Sequence, residues 1–174
     1  RVLFRSLLAK VDILVVGGGM ANTFLAAQGL NMGKSLVDSE SIGIAQKILA
    51  EAAKQNKEIL LPVDGIVAPE FKENSPSDIA DVKNIPADKM ILDIGPTSVV
   101  RIAQKLAAAK TVLWNGPLGV FEMQPFDRGT VAVAREIARL TGLGKILSVA
   151  GGGDTVAALE HAGVVAEFSY VSTA

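Results

Sequence analysis

The chain has 174 residues, of which 49% are hydrophobic, 20% are charged and 5% are aromatic, so we expect a globular domain with an aliphatic core. Its formal net charge is −1, it contains no cysteine, and no apolar stretch reaches the roughly 20 residues that span a bilayer. This composition excludes disulfide and thiolate chemistry and argues against a surface for nucleic acid or for an anionic membrane.

The first six residues, RVLFRS, begin without methionine and fit poorly with the rest of the chain. They match the translation of the end of a common sequencing-library adapter, so we expect residues 1–6 to be an adapter artefact and residues 7–174 to be the native domain. The end, YVSTA, carries no closing signal, so we expect this domain to be truncated at both ends. If the native gene contained an open reading frame through the first six codons, the interpretation of residues 1–6 as an adapter artefact would be wrong.

Short apolar runs alternate with segments of helical periodicity along the rest of the chain. The predicted strands are residues 11–16, 58–63, 89–94, 111–115, 145–149 and 168–172. The predicted helices are residues 20–28, 39–55, 97–109, 128–140 and 154–162. Apolar strands separated by helices indicate a parallel sheet that is covered on both faces. We therefore predict one α/β domain, in which residues 65–88, rich in Pro, Asn, Asp and Ser, form a long irregular loop.

Two of the predicted helices have specific start signals. Pro96 suits the first position of the helix at 97–109, because a residue in that position has no partner for an N–H group. Asp127 is predicted to cap the helix at 128–140 by accepting hydrogen bonds from its first turn.

Glycine, aspartate and asparagine cluster where the predicted strands end. These clusters are Gly17–Gly19, Asp64–Gly65, Asp93–Gly95, Asn115–Gly116 and Gly151–Asp154. Ligands bind at the carboxyl ends of the strands in such sheets, so we expect a site along that edge. A single turn of this kind is explained by strand-to-helix geometry alone. The two glycine triplets, together with WNGPLGVFE at residues 114–122, favour a binding site.

Neither glycine triplet completes a known nucleotide fingerprint. The GxGxxG pattern would require glycine where the chain has Asn22 and Val156. The segment GLNMGKS, residues 29–35, has three residues between its glycines where a phosphate loop has four, so Lys34 is interpreted as a surface residue. Glycines nevertheless allow a flat ring or a phosphate to approach the backbone, and the N–H groups of a helix start attract anions.

Only the second triplet is followed by a carboxylate, that of Asp154. Asp154 is either a helix cap or a ligand of Mg²⁺, which uses one or two carboxylates together with phosphate oxygens. Glu122 is likewise either a solvated charge or an acceptor for ribose hydroxyls beside the apolar Leu118 and Val120. His161, the single histidine, lies at a predicted helix end and is assigned no catalytic role.

Several stretches occur in the order found in the phosphoglycerate kinase family: VDILVVGGGMANTFL, GKSL, LPVD, MILDIGP, WNGPLGVFE, GGGDT and FSYVST. From Leu7 to Ala174 the sequence resembles the carboxyl-terminal, nucleotide-binding half of that enzyme. The resemblance implies a Rossmann-like parallel sheet with helices on both faces, as one domain of a two-domain kinase. It also implies a cytoplasmic, monomeric glycolytic enzyme that transfers a phosphoryl group between 1,3-bisphosphoglycerate and ADP, giving 3-phosphoglycerate and ATP.

The same resemblance assigns the site residues. Those expected to flank the adenine are Gly17, Gly18, Leu36, Phe71, Leu92 and Val120. Those expected to border the nucleotide and to hold its ribose are Asn115, Pro117 and Glu122. Those expected at the phosphates are Gly151, Gly152, Gly153, Asp154 and Thr155. Among these, Gly152 and Gly153 would be catalytic, and Asp154 would bind the Mg²⁺ that accompanies ATP or ADP.

The chain also departs from the family's pattern. The lysines that contact phosphate lie upstream of Leu7 in the family, a glycine-rich helix start follows the final STA, and 3-phosphoglycerate binds to a separate amino-terminal domain. We therefore expect this chain alone to bind Mg-nucleotide weakly and not to turn over. Ile91 stands where many relatives have glycine at the adenine pocket. The alternatives are a stand-alone, non-catalytic nucleotide-binding module and an NAD-dependent dehydrogenase, for which Asp38 has the spacing but lies near a predicted helix start.

Overall fold

The computed structural model of the protein describes residues 8–173, so the expected artefact at residues 1–6 lies outside the described residues. The strands are β1 (Ile13–Val16), β2 (Glu58–Leu60), β3 (Asp64–Ala68), β4 (Asp78–Asp81), β5 (Met90–Ile94), β6 (Thr111–Asn115), β7 (Leu147–Gly151) and β8 (Tyr170–Ser172). The α-helices with bounds inside these residues are α1 (Gly18–Ala27), α2 (Ile42–Lys54), α3 (Pro96–Ala108), α4 (Arg128–Gly142) and α5 (Gly153–Ala162). Short 3₁₀ helices lie at Ser39–Ser41, Val82–Asn84 and Val165–Glu167.

A five-stranded parallel sheet in the order β2-β1-β6-β7-β8 forms the centre of the fold. Alternate residues of β1 point to opposite faces, and all four of its side chains are buried. Val15 packs on one face with residues of α3, α4 and α5, whereas Leu14 and Val16 pack on the other with residues of α1 and α2. The predicted parallel sheet with helices on both faces is confirmed.

A second, three-stranded antiparallel sheet in the order β4-β3-β5 corrects two predictions. Residues 65–88 are not an irregular loop throughout, because most of β3 and all of β4 lie within them. The predicted strand at 89–94, found as β5, pairs with β3 in the antiparallel sheet and does not join the parallel one. The sequence signal was weak because β3 opens with an Asp-Gly pair, which is typical of turns, and β4 (DIAD) is a short, largely exposed edge strand.

The helices lie close to their predicted bounds, and Pro96 occupies the predicted first turn of α3. Asp127 stands at the N-cap position of α4 but makes no side-chain cap hydrogen bond, so the predicted capping role is wrong. Its carboxylate instead accepts a hydrogen bond from Gln124 Nε2 at 2.9 Å and pairs with His161 Nε2 at 2.9 Å. Within residues 8–173, no helix is both long enough and apolar enough to span a membrane.

Candidate functional site

The carboxyl ends of β1, β6 and β7 lie side by side, and a glycine-containing turn follows each of them. This is the edge at which ligands bind in sheets of this class. A cleft of about 530 Å³ opens there, lined by the start of α1, by β5 and by the segment that follows β6. A cleft therefore lies at the edge of the sheet where the sequence predicts a site.

Many of the residues expected at the nucleotide line this one cleft, although they are far apart in the sequence. They are Gly17, Gly18, Leu36, Phe71, Leu92, Pro117, Val120, Glu122 and Asp154. Leu36 and Phe71 are 76% and 63% exposed, so the cleft presents apolar surface to solvent. Leu92 is 3% exposed and packs against Ala68 and Phe126. An open, apolar-lined cleft with two exposed carboxylates is suited to a ligand that has a flat ring and polar ends.

Gly17 packs directly against the turn formed by Gly116 and Pro117. Its N–H donates a hydrogen bond to the carbonyl oxygen of Asn115 at 3.3 Å. A Cβ atom added at Gly17 would lie 2.2 Å from the carbonyl oxygen of Pro117, which no side chain tolerates. The sequence explained this glycine by the approach of a ring, whereas the structure shows that two segments of the protein require it.

The second glycine triplet forms the start of α5. Gly152 is the N-cap, with φ of 99°, and no side chain caps the helix. Asp154 lies in the first turn, so the capping interpretation of this residue is wrong. Its carboxylate is exposed, and among residues 8–173 none forms a hydrogen bond or an ion pair with it. A Cβ atom added at Gly153 would meet nothing within 4 Å, so space remains beside this backbone.

Four other residues expected at the nucleotide have different surroundings. Asn115, Gly151 and Gly152 line a larger cleft of about 970 Å³, which is bounded by α1, by α2 and by the adjoining face of the sheet. Thr155 is 1% exposed, and its hydroxyl accepts a hydrogen bond from the N–H of Gly116 at 2.7 Å. This bond joins the start of α5 to the turn after β6, so Thr155 connects the two ends of the site.

Known proteins match this chain over nearly its whole length. The family described as phosphoglycerate kinase matches residues 2–174. The chain belongs to the phosphoglycerate kinase family. The phosphoglycerate kinase of Methylorubrum extorquens is 56% identical over 172 residues, and that of Xanthobacter autotrophicus is 58% identical over 172 residues. Each alignment covers 99% of this chain and 43% of the relative, so the chain spans less than half the length of these phosphoglycerate kinases.

Solved structures of phosphoglycerate kinases have the same fold. That from Coxiella burnetii matches with a TM-score of 0.87 at 43% identity, covering 98% of this chain and 43% of that protein. That from Pyrococcus horikoshii matches with a TM-score of 0.71 at 28% identity, covering 93% of this chain and 40% of that protein. The similarity extends through both sheets, because nearly all of the chain is covered.

Two residues of the cleft received no role from the sequence of this member of the phosphoglycerate kinase family. Lys34, interpreted as a surface residue, is exposed but lines the cleft and adds a positive charge to it. Asp93, in the quoted motif MILDIGP, also lines the cleft and is 1% exposed. Burial raises the pKa of Asp93 to about 7, although hydrogen bonds from the N–H groups of Gly129 and Ile94 act in the opposite direction. The sequence placed Asp93 in one of the strand-end clusters, and its position as a carboxylate within an apolar strand was the signal that could have singled it out.

The residues at the start of α5 fit a Mg²⁺ ion that arrives with a nucleotide. Within the described part of the chain, no group of three or more His, Cys, Asp or Glu side chains could hold a metal ion by itself. Asp154 offers one exposed carboxylate, and Mg²⁺ is commonly held by one or two carboxylates together with phosphate oxygens and water. The site is therefore suited to a metal–phosphate pair and not to a metal ion alone.

Proposed function

We propose that the 530 Å³ cleft binds the adenosine part of ADP or ATP, and that the start of α5 binds its phosphates. The proposal depends on one observation: segments that are far apart in the sequence meet in one cleft at the carboxyl edge of the sheet. The residues they contribute are Leu36, Phe71, Val120, Glu122 and Asp154. Membership of the phosphoglycerate kinase family supports the same ligand.

The base side of the cleft offers apolar contact and a polar end. Leu36 and Phe71 are exposed, and Val120 is half-buried, so a planar base placed among them would cover apolar surface. The N–H of Val120 donates a hydrogen bond to the carbonyl oxygen of Leu92 at 2.9 Å, which fixes this wall to β5. Glu122, exposed at the same cleft, can accept hydrogen bonds from the ribose hydroxyls.

The phosphate side uses the backbone of the second glycine triplet. The N–H groups in the first turn of α5 have no helical partners, and the helix dipole favours an anion there. We assign the N–H of Gly153 to this contact. The N–H of Gly152 donates to the carbonyl oxygen of Ser172 at 2.8 Å, so Gly151 and Gly152 are assigned to the phosphates through their lack of a side chain. We assign Gly152 and Gly153 to the transferred phosphoryl group. Asp154 would hold Mg²⁺, which neutralises charge on the phosphates during transfer. Catalysis by these residues consists of positioning and charge stabilisation.

We propose that a protein combining this domain with the remaining length of its relatives is a phosphoglycerate kinase. It would transfer a phosphoryl group between 1,3-bisphosphoglycerate and ADP, as a cytoplasmic monomer, and bind 3-phosphoglycerate outside this domain. The 174-residue chain spans 43% of its relatives, so we expect it to bind Mg-nucleotide weakly and to show no turnover. Turnover of ATP and 3-phosphoglycerate by the purified chain would contradict this.

Calorimetric titration of the chain with Mg-ADP, and separately with NAD, tests the ligand assignment. We expect Mg-ADP to bind more tightly than NAD, because the chain lacks the dinucleotide fingerprint. Leu36→Ser removes an exposed apolar side chain from the cleft, and Leu143→Ser is the matched control, since Leu143 is 58% exposed just beyond α4. We expect only Leu36→Ser to weaken Mg-ADP binding. Tighter binding of NAD, or equal effects of the two substitutions, would refute the proposal.

A further inference from the structure

We propose that Asp93 is a positioning residue for the base-binding wall of the cleft, residues 118–122, and that its ionised carboxylate holds this wall in the conformation that contacts the base. The inference rests on the proposed nucleotide site and goes beyond it, because Asp93 acts through the backbone of its neighbours. It identifies an ionisable group that controls base binding without contacting the phosphates.

The wall is held in place from two sides. On one side, the N–H of Val120 donates a hydrogen bond to the carbonyl oxygen of Leu92 in β5 at 2.9 Å. On the other, the hydroxyl of Thr130, in the first turn of α4, accepts hydrogen bonds from the N–H groups of Leu118 and Gly119 at 3.2 and 3.1 Å. The position of the wall therefore depends on how the start of α4 is attached to β5.

Asp93 makes that attachment. Its Oδ2 atom accepts a hydrogen bond from the N–H of Gly129 at 3.0 Å, and its Oδ1 atom accepts one from the N–H of Ile94 at 2.8 Å. Gly129 immediately precedes Thr130, so the bond fixes the helical turn that carries the Thr130 hydroxyl. The sequence predicted that Asp127 would accept a hydrogen bond from the first turn of α4. In the structure Asp93 accepts that bond, although it lies 36 residues from Gly129 in the chain.

The carboxylate lies close to the backbone of both Gly119 and Gly129. A Cβ atom added at Gly119 would lie 2.4 Å from Asp93 Oδ1, and one added at Gly129 would lie 2.6 Å from the same oxygen. Gly119 belongs to the wall and Gly129 to α4, so Asp93 touches both segments that it would position. A shift of the carboxylate is therefore transmitted to the wall by direct contact.

The protonation state of this group changes near neutral pH. Burial raises the pKa of Asp93 to about 7, against the hydrogen bonds from Gly129 and Ile94, while the nearby charge of Asp127 raises it and that of Arg128 lowers it. The charged and titratable groups of β3, of the wall and of the start of α4 are Asp64, Glu122, Asp127 and Arg128, and Asp127 in turn pairs with His161 Nε2 at 2.9 Å. Asp64 is engaged separately, since it accepts hydrogen bonds from the N–H groups of Thr97 and Ser98.

Base affinity and folding stability should respond to this ionisation in opposite directions. The ionised carboxylate accepts two charge-assisted hydrogen bonds, and a proton on one oxygen weakens one of them. We expect adenosine affinity to rise about fivefold as the pH increases through the folded pKa of Asp93. The figure follows from the difference in strength between a hydrogen bond to a charged acceptor and one to a neutral acceptor. Because the folded pKa is raised, the contribution of Asp93 to stability is fully present below the unfolded pKa and is lost as the pH rises to about 7.

The test uses adenosine without Mg²⁺, because adenosine has no phosphate and no group that titrates near neutral pH. Its affinity for the 174-residue chain is measured by calorimetry between about pH 5.5 and about pH 8.5, a range that spans the unperturbed histidine pKa as well. We expect an inflection near pH 7 in the wild type and in His161→Gln, and a flat profile in Asp93→Asn. The carboxyl carbon of Asp93, followed by NMR, should titrate at the same midpoint.

The possible results distinguish a failure of the role of Asp93 from a failure of the nucleotide site. A flat wild-type profile with adenosine bound would overturn the role of Asp93 and leave the nucleotide site intact. If the inflection in adenosine affinity persists in Asp93→Asn and disappears in His161→Gln, it arises from His161. That result would also overturn the proposed role of Asp93. Absence of adenosine binding at every pH would refute the proposed function and this inference together. If Asp93→Asn does not fold, a mismatch between the wild-type affinity midpoint and the NMR titration of Asp93 overturns the proposal.

Discussion

Substitution of Gly17 by alanine tests how the two loops of the site are packed together. The added Cβ atom would lie 2.2 Å from the carbonyl oxygen of Pro117, 2.6 Å from its carbonyl carbon and 2.7 Å from the carbonyl oxygen of Gly116. All three atoms belong to backbone, so no side-chain rotation can relieve the contact. The turn after β6 must move away from α1, and Pro117 and Val120 line the proposed base site.

The free energy of unfolding should fall by roughly 1–3 kcal/mol, the usual cost of forcing an extra methyl group into a packed region. Alanine also restricts the unfolded chain, which offsets about 0.4–1 kcal/mol of that loss. A net loss of about 1–2 kcal/mol is therefore expected. Adenosine affinity should fall as well, because the displaced turn leads directly into the cleft wall.

Urea denaturation of Gly17→Ala and Gly153→Ala provides the assay, because both variants add one methyl group within a glycine triplet. A Cβ atom at Gly153 would meet nothing within 4 Å, and this position is the first residue of α5. We expect Gly153→Ala to be as stable as the wild type, or more stable by up to about 1 kcal/mol from helix propensity. If Gly17→Ala keeps the wild-type urea midpoint and adenosine affinity, the close packing described for these loops is wrong.

Three further predictions concern the starts of α5 and α4. Thr155→Val removes the acceptor for the N–H of Gly116 and should lower the free energy of unfolding by about 1–3 kcal/mol in urea denaturation. Thr155→Ser keeps the hydroxyl and should lose much less; equal losses would show that the hydrogen bond does not matter. Asp154→Asn should weaken Mg-ADP binding about tenfold while adenosine affinity and stability stay constant, as measured by calorimetry and urea denaturation; unchanged Mg-ADP affinity would contradict the metal assignment. Burial acts to raise the pKa of Asp127, but the hydrogen bonds from His161 and Gln124 together outweigh it, so the pKa is lowered. Its contribution to stability is therefore present above the unfolded pKa and lost as the pH falls through the folded pKa, so acid unfolding should be steeper in the wild type than in Asp127→Asn; identical acid profiles would contradict this.

The parallel sheet could be predicted because its signals are local. The strand at β1 is apolar throughout, and Pro96 marks the start of α3 within the sequence itself. The antiparallel sheet could not be predicted, because no local sequence pattern indicates that β3 pairs with β5. Ile66 of β3 lies opposite Asp93, a neighbour that only the folded chain supplies.

The site was predictable to the extent that its residues lie in recognisable motifs. Glu122 and Asp154 were identified from short stretches, and both line the cleft. Asp93 was placed at the strand-end edge, but its role was not predicted because its partner Gly129 is 36 residues away in the sequence, so the contact follows from tertiary structure alone. Lys34 was missed because its motif matched no known loop, and its place in the cleft depends on how the segment after α1 folds back.

We propose that the smaller of the two clefts at the sheet edge is the adenine-nucleotide site. Amide NMR spectra of the 174-residue chain, recorded during addition of Mg-ADP, test it most directly because every segment is observed at once. We predict that the largest shifts occur at Gly18, Leu36, Val120 and Glu122, with a second group at Gly153 and Asp154. Shifts concentrated instead at Met20, Ile44 and Val149, which line the larger cleft, would contradict this assignment of the nucleotide site.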